Sequence, residues 1–286
     1  MHLKYGPAII EGVSKDSALI TRVKKVLLTE VTKYQEVQIV DTYDFGRALV
    51  LDGYIQSTEI DEYIYHETLV HPVMITHPNP EKVLIIGGGE GATLREVLKH
   101  GSVKEAVMVD IDGELIEFAK KYLDFMHKGA FSDPRAKVVI EDGLKFVKEE
   151  ERGKYDVVIL DLTDPYGPEI SRKLYGKEFY SDVKKLLKPG GIVVTQSGNS
   201  FFYPEVYEYV VNNLRANFKI VKEYWTWVPS FSYNCNFNTA SDTLDPSILT
   251  ADEVDTRVRE RGVDTKLYEG NYHEALFKLR VIKGKK

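Results

Sequence analysis

Apolar residues follow two rhythms along this chain. Up to about residue 60 they alternate with polar ones: Val37-Gln38-Ile39-Val40 and Ala48-Leu49-Val50-Leu51-Asp52-Gly53 flank Asp44-Phe45-Gly46, a turn signal. That pattern predicts antiparallel strands and a small β domain without helix over residues 1–60. Asp61 to Thr76 reads as a helix, with Tyr63, Glu67 and Val70 close to one face, and His77-Pro78-Asn79-Pro80 ends it. Beyond it, short unbroken apolar runs take over. Val83–Ile86, Ala106–Val109, Lys137–Glu141, Asp156–Leu160 and Gly191–Thr195 predict five strands, and Phe218–Val221 and Cys235–Phe237 supply two more. Leu115, Ile116, Ala119, Tyr122 and Leu123 mark an intervening helix, for which Asp112 is placed as N-cap. Unbroken apolar strands are buried on both faces, so residues 61–286 are expected to form a doubly wound, mostly parallel α/β sheet.

The first strand of that region runs into Gly87-Gly88-Gly89-Glu90-Gly91, and Thr93–Leu98 continues with helical spacing. Strand, glycine turn and helix form the Rossmann-like opening of a nucleotide-binding sheet. Glu90 changes the picture. A helix N-terminus favours anions, so a carboxylate inside the turn disfavours phosphate and favours a cationic ligand. Acids follow the next strands too: Asp110 closes the second, Asp142 follows the third, and Asp161 and Asp164 follow the fourth. One acid at a strand end is commonly just a helix cap. Four in register on the ligand-binding edge would raise one another's pKa unless something positive binds. Asp110, about 20 residues past the glycines, suits the hydroxyls of a ribose. Asp142-Gly143 suits an adenine amino group. Glu90, Asp161 and Asp164 are then left over, and three acids about one point suit amines.

Composition narrows the field little further. The 286 residues are 43% hydrophobic and 29% charged with a net charge of −6, without the basic arm of a nucleic-acid binder. Cys235 stands alone, which excludes an internal disulfide and a thiolate zinc cluster, and the seven histidines lack metal-ligand spacing, so no metal is expected. No run approaches membrane-spanning length, and Met1–Gly6 lacks the apolar core of a signal peptide; a cytoplasmic protein is expected.

The glycine motif belongs to a larger set: Leu49–Glu59, Tyr65-His66-Glu67, Asp161-Leu162-Thr163-Asp164-Pro165 and Gly167-Pro168. In this order and spacing the set resembles the polyamine aminopropyltransferases, the spermidine synthase family, from about Tyr34 to Tyr272-His273. The resemblance implies a methyltransferase-like fold and decarboxylated S-adenosylmethionine as co-substrate. It also implies no permanently bound cofactor, methylthioadenosine as product, and a homodimer or homotetramer assembled through the N-terminal β domain. It sets Gln35, Asp110, Asp142, Gly143 and Pro168 on the nucleoside, and His66, Glu90 and Asp164 on the amines. Asp161 becomes the proton acceptor, Tyr65 orients the attacking nitrogen, and Gln56 and Trp225 join the substrate-binding residues. The stretch after Asp164 up to Gly176 corresponds to a loop over the site. Two departures stand out: Glu90 where the family mostly has Asp, and Asp-Leu-Thr-Asp where Asp-Ser-Ser-Asp is usual. Both look more like the branch that uses agmatine or longer polyamines, and the Trp225–Phe231 segment also differs from the common putrescine form.

Three rivals share parts of the pattern. An S-adenosylmethionine methyltransferase would need positive partners for a carboxylate where this chain offers Glu90. A dinucleotide dehydrogenase would need a phosphate there. A non-catalytic nucleoside or polyamine sensor would not need Asp161.

Overall fold

The computed structural model describes residues 6–166 and 172–285. The alternating N-terminal segment forms one antiparallel sheet of five strands in sequence order: β1 (Ala8–Gly12), β2 (Ala18–Val31), β3 (Glu36–Thr42), β4 (Arg47–Leu51) and β5 (Tyr54–Thr58). Both its faces carry buried residues, with Val37, Ile39 and Leu49 in one apolar cluster and Val50 in another. No helix interrupts the described part of this segment.

Helix α1 (Glu62–Thr76) follows at once. Asp61 anchors the junction: its carboxylate accepts from the Thr58 hydroxyl at 2.6 Å and from the Ser230 amide at 2.7 Å. The helix is buried almost all round, which explains why its sequence shows only a weak apolar face.

The second sheet has seven strands in the order β11-β12-β10-β9-β6-β7-β8. Its parallel centre is β6 (Lys82–Gly87), β7 (Glu105–Asp110), β8 (Ala136–Ile140), β9 (Tyr155–Asp161) and β10 (Leu187–Gln196). Helices α2 (Ala92–Leu98), α3 (Gly113–Tyr122), α4 (Asp124–His127), α5 (Gly143–Glu149), α6 (Lys177–Leu186) and α7 (Pro204–Arg215) link these strands. Apolar clusters lie on both faces, one around Val83, Ile85 and Ile159, the other around Leu84, Ile86 and Val158. Asp112 caps α3 as expected, accepting from the Leu115 amide at 3.1 Å.

The last two strands differ from expectation in length. β11 (Ile220–Val228) and β12 (Tyr233–Ser241) form an antiparallel hairpin of nine residues each. Polar residues such as Asn236, Asn238 and Thr239 sit buried inside it, so the apolar run that marks a strand is missing there. Helices α8 (Ala251–Glu260) and α9 (Gly270–Lys278) close the chain.

Candidate active site

The carboxyl ends of β9, β6, β7 and β8 are neighbours, so the acids that follow them share one edge. Gly87, the last residue of β6, stands in register with Asp161, the last of β9. Its φ is +85°, and a Cβ there would lie 2.0 Å from the Asp161 carbonyl oxygen. Only glycine lets the turn pass this close.

Asp161 is held from two sides. The Tyr65 hydroxyl on α1 donates to Oδ1 at 2.9 Å, and the Thr93 hydroxyl on α2 donates to Oδ2 at 2.6 Å. Burial, and after it the negative charge of Glu90, push the Asp161 carboxyl up to about 6. Burial and the adjoining Asp161 likewise keep the Tyr65 phenol well above its usual range, so it remains a donor. Asp110, the last residue of β7, lies on the same edge. Burial, opposed by one hydrogen bond from the Asp112 amide and reinforced by Glu90, Asp112 and Asp161, brings it to about 7.

His66 lies next to Tyr65 on α1 but has a different task. Its Nδ1 meets the Glu62 carbonyl at 2.8 Å and the Glu62 carboxylate at 2.9 Å, while Nε2 meets the Glu90 carboxylate at 3.0 Å. All three partners are acceptors, so both ring nitrogens must carry hydrogen. Burial opposes that charge, yet Glu62 and Glu90 outweigh it and lift His66 to about 10. Arg95 closes the relay, donating to Glu62 at 2.8 Å. The imidazolium therefore has no lone pair for an amine; it fixes Glu90 instead. This differs from the expectation that His66 itself meets an amine. The ligating atoms of His66, Glu90 and Asp161 lie within 4.8 Å of one another. With His66 charged, this triangle suits an ammonium better than a metal ion.

The residues expected on the nucleoside are anchored by the protein itself. Gln35, between β2 and β3, donates to Asp112 Oδ2 at 2.9 Å, and Thr32 donates to the same oxygen at 2.7 Å. The first sheet thereby reaches the end of β7. Asp142 caps α5, accepting from the Leu144 amide at 2.8 Å. A Cβ on Gly143 would lie 2.6 Å from Ile86, so the small residue lets α5 start close against β6.

Asp164 faces a cavity between the first sheet and the second, lined also by Glu11, Tyr54, Tyr166, Tyr203, Phe231 and Tyr233. Burial raises its carboxyl above the usual range, partly offset by hydrogen bonds from Tyr166 and Gln196. Neither tryptophan lines this cavity. Trp225 donates to the Arg280 carbonyl at 3.1 Å, and Trp227 is 52% exposed. Gln56 on β5 donates to the carbonyl of Tyr54 at 3.2 Å. Pro168, with part of the stretch expected over the site, lies outside the described residues.

Sequence reasoning missed Thr93, Glu62 and Arg95, and read Asp112 as a helix cap alone. Glu62 stands four residues before His66, the spacing of helical neighbours, and was the one available signal. Glu67, part of the Tyr-His-Glu motif, points elsewhere and accepts the amides of Lys266, Leu267 and Tyr268 at 2.8, 2.8 and 2.9 Å.

A doubly wound sheet with clustered carboxylates at its ligand edge matches known proteins over nearly its whole length. The spermine/spermidine synthase domain family matches residues 62–248, and the spermidine synthase tetramerisation domain family matches residues 9–59. A polyamine aminopropyltransferase of Pyrobaculum aerophilum is 54% identical over 281 residues, 97% of each chain. Polyamine aminopropyltransferase 1 of Hyperthermus butylicus is 53% identical over 268 residues, 92% of each. A crystal structure of spermidine synthase in complex with the transition-state analogue AdoDATO superposes with a TM-score of 0.89 at 33% identity, covering 97% of this chain and 93% of that one. Spermidine synthase from Thermotoga maritima gives 0.88 at 33%, covering 97% and 92%. The chain belongs to the spermine/spermidine synthase family.

Proposed function

We propose that Asp161, Tyr65 and Asp164 carry out aminopropyl transfer in the acid-lined crevice, from decarboxylated S-adenosylmethionine to an amine. The enzyme is a polyamine aminopropyltransferase, and methylthioadenosine is its second product. The observation that carries the residue assignment is Asp161, half-buried, ionisable near neutrality and aimed by two hydroxyls, beside the Glu90–His66 pair.

The step is a displacement. The amine lone pair attacks the methylene beside the sulfonium; the C–N bond forms as the C–S bond breaks, and the electron pair stays on sulfur. Charge thus passes from sulfur to nitrogen, and carboxylates stabilise it throughout. An amine of pKa ~10 is mostly protonated at neutral pH. Asp161, lifted to about 6, accepts the proton more readily than an ordinary aspartate. Tyr65 orients that carboxylate, and Asp164 holds the acceptor beyond it. Alignment of the two substrates contributes more, since orientation is worth ~7–11 kcal/mol. Glu90, fixed by His66, receives the donor's ammonium. Asp110, Asp142, Gly143 and Gln35 hold the adenosine.

The acceptor we favour is agmatine or a triamine. Supporting it are the Glu90 and Leu162-Thr163 departures and the aromatic walls around Asp164. Incubating the protein with decarboxylated donor and putrescine, agmatine, spermidine or norspermidine, then measuring methylthioadenosine, tests both levels. Release with some amine, fastest with agmatine or a triamine, is expected. No release with any amine refutes the transfer, and a clear preference for putrescine refutes the acceptor.

The chain forms an oligomer, and we read it as a tetramer assembled through residues 1–60, with residues 61–286 as the catalytic domain. Cross-strand partners Ile10 and Ile20 on β1 and β2, 67% and 47% exposed, support an interface there. Among the described residues no helix is long and apolar enough to cross a membrane.

A further inference from the structure

Arg95, which closes the relay behind Glu90, is itself held from the other side. Its Nε donates to Glu96 Oε1 at 2.7 Å, while Glu96 Oε2 meets His71 Nε2 at 3.0 Å and Lys99 Nζ at 2.8 Å. His71 Nδ1 in turn meets His100 Nε2 at 3.0 Å. Glu90, His66, Glu62, Arg95, Glu96 and His71 thus form one unbroken chain that crosses twice between α1 and α2. All of them except Glu90 are buried.

Buried ion pairs add little to stability, because desolvation offsets most of their attraction. What this chain supplies is order at one oxygen. His66 Nδ1 reaches Glu62 Oε2 at 2.9 Å and Arg95 Nη2 reaches it at 2.8 Å, so two cations compete for it. Glu96 draws Arg95 the other way, its Oε1 also 2.7 Å from Nη2, and leaves Glu62 to His66. Burial would raise the Glu96 carboxyl, yet His71, Arg95 and Lys99 hold it far below the usual carboxylate range, so its pull is that of a full charge. Without that pull Arg95 closes on Glu62 and His66 loses its grip. Glu90, flanked by Gly89 and Gly91, is then free to swing away from the negative Asp161.

We infer that Glu96 is a positioning residue for the donor: through Arg95, Glu62 and His66 it keeps the Glu90 carboxylate at the point where the donor's ammonium docks. His71 and Lys99 support it by occupying the second oxygen of Glu96. This rests on the aminopropyl-transfer reading and deepens it. Glu90 is ordered before the donor arrives, so less binding energy is lost in ordering it.

The test is calorimetric titration of two ligands: decarboxylated S-adenosylmethionine, and methylthioadenosine, which shares the nucleoside but lacks the ammonium. Glu96→Gln should weaken the donor about tenfold and leave methylthioadenosine within about twofold of wild type. In a Glu90→Gln background the same substitution should move neither ligand. Unchanged donor affinity in Glu96→Gln overturns the inference. Equal loss of both ligands also overturns it, since that marks a general disturbance of the site. So does a full donor loss that persists in the Glu90→Gln background, because the effect then bypasses Glu90. If Glu96→Gln does not fold, Arg95→Lys keeps the charge but not the fork that holds Glu62 and Glu96 together, and is read against the same outcomes. In wild type, nitrogen-15 spectra should show both His66 ring nitrogens protonated at pH 8. A bare ring nitrogen there overturns the inference without any variant. Wild type that binds no decarboxylated donor and releases no methylthioadenosine with any amine removes the transfer reading and this inference together.

Discussion

Asp161 sits between two hydroxyls and two carboxylates, and its chemistry follows from that balance. Asp161→Asn keeps the shape and removes the proton acceptor, so turnover should fall by roughly 10²–10⁴ with donor affinity largely retained. Near-normal turnover would remove it from the mechanism. The same residue sets a pH dependence. Below about 6 the carboxyl is protonated and cannot accept a proton, so kcat/KM should fall as pH drops through that value. His66 is expected to modify this limb through its charge. Its positive charge lowers the Asp161 pKa against the opposing effects of burial and Glu90. His66→Gln should therefore move the limb upward, measured as the acidic inflection of kcat/KM, whereas a residue that only bound amine would change KM and leave the inflection in place.

Strands and turns set these residues in place, and here the sequence was most legible. Unbroken apolar runs announced the parallel strands, and the acids shortly past them fell on the expected edge because strand ends in such a sheet are neighbours. Relays between distant segments were not legible. The Thr93 and Tyr65 bonds to Asp161 span 68 and 96 residues, and nothing local to either marks them. The roles within Tyr65-His66-Glu67 were blurred for a related reason: on a helix buried almost all round, Tyr65 and His66 meet Asp161 and Glu90 in one crevice while Glu67 turns away to the amides of residues 266–268. The Trp225–Phe231 segment was legible only in part: Phe231 lines the cavity beside Asp164 while Trp227 is 52% exposed, and aromatic composition alone does not tell which face of a strand a side chain occupies. At this scale Gly87 is the most exacting position. Gly87→Ala would meet the Asp161 carbonyl and force a strained φ, so a loss of about 3 kcal/mol or more is expected in denaturant unfolding, together with loss of activity. A stability close to wild type would mean that the turn can move away from β9.

Across the whole molecule, Gln35 reaches from the first sheet to Asp112 beyond β7 of the second, and the proposed roles divide along the same line, assembly to the first sheet and substrates to the second. Ile10→Lys with Ile20→Lys should reduce the assembly to smaller species in light scattering while each chain stays folded; an unchanged mass would place the interface elsewhere. Ligand linkage gives a second test of the acid cluster. Asp110, Asp161 and Glu11 are raised to about 7, 6 and 7. Raised acids stabilise the fold fully below their unfolded values of ~4, and that contribution is lost as pH rises through about 6 to 7. A cationic donor binds best when they are ionised, so its Tm shift should be larger at pH 8 than at pH 5. The claim beneath all of this is that the crevice selects positive charge. Decarboxylated S-adenosylmethionine presents an ammonium alone to Glu90, which gains a charge-assisted hydrogen bond worth ~1.5–3 kcal/mol. S-adenosylmethionine brings a carboxylate into the same acidic surroundings. Calorimetric titration of the two donors into wild type and Glu90→Gln measures the difference directly. The account predicts much tighter binding of the decarboxylated donor to wild type, with a gap narrowed in the variant chiefly by weaker binding of that donor; equal affinities in wild type would contradict it.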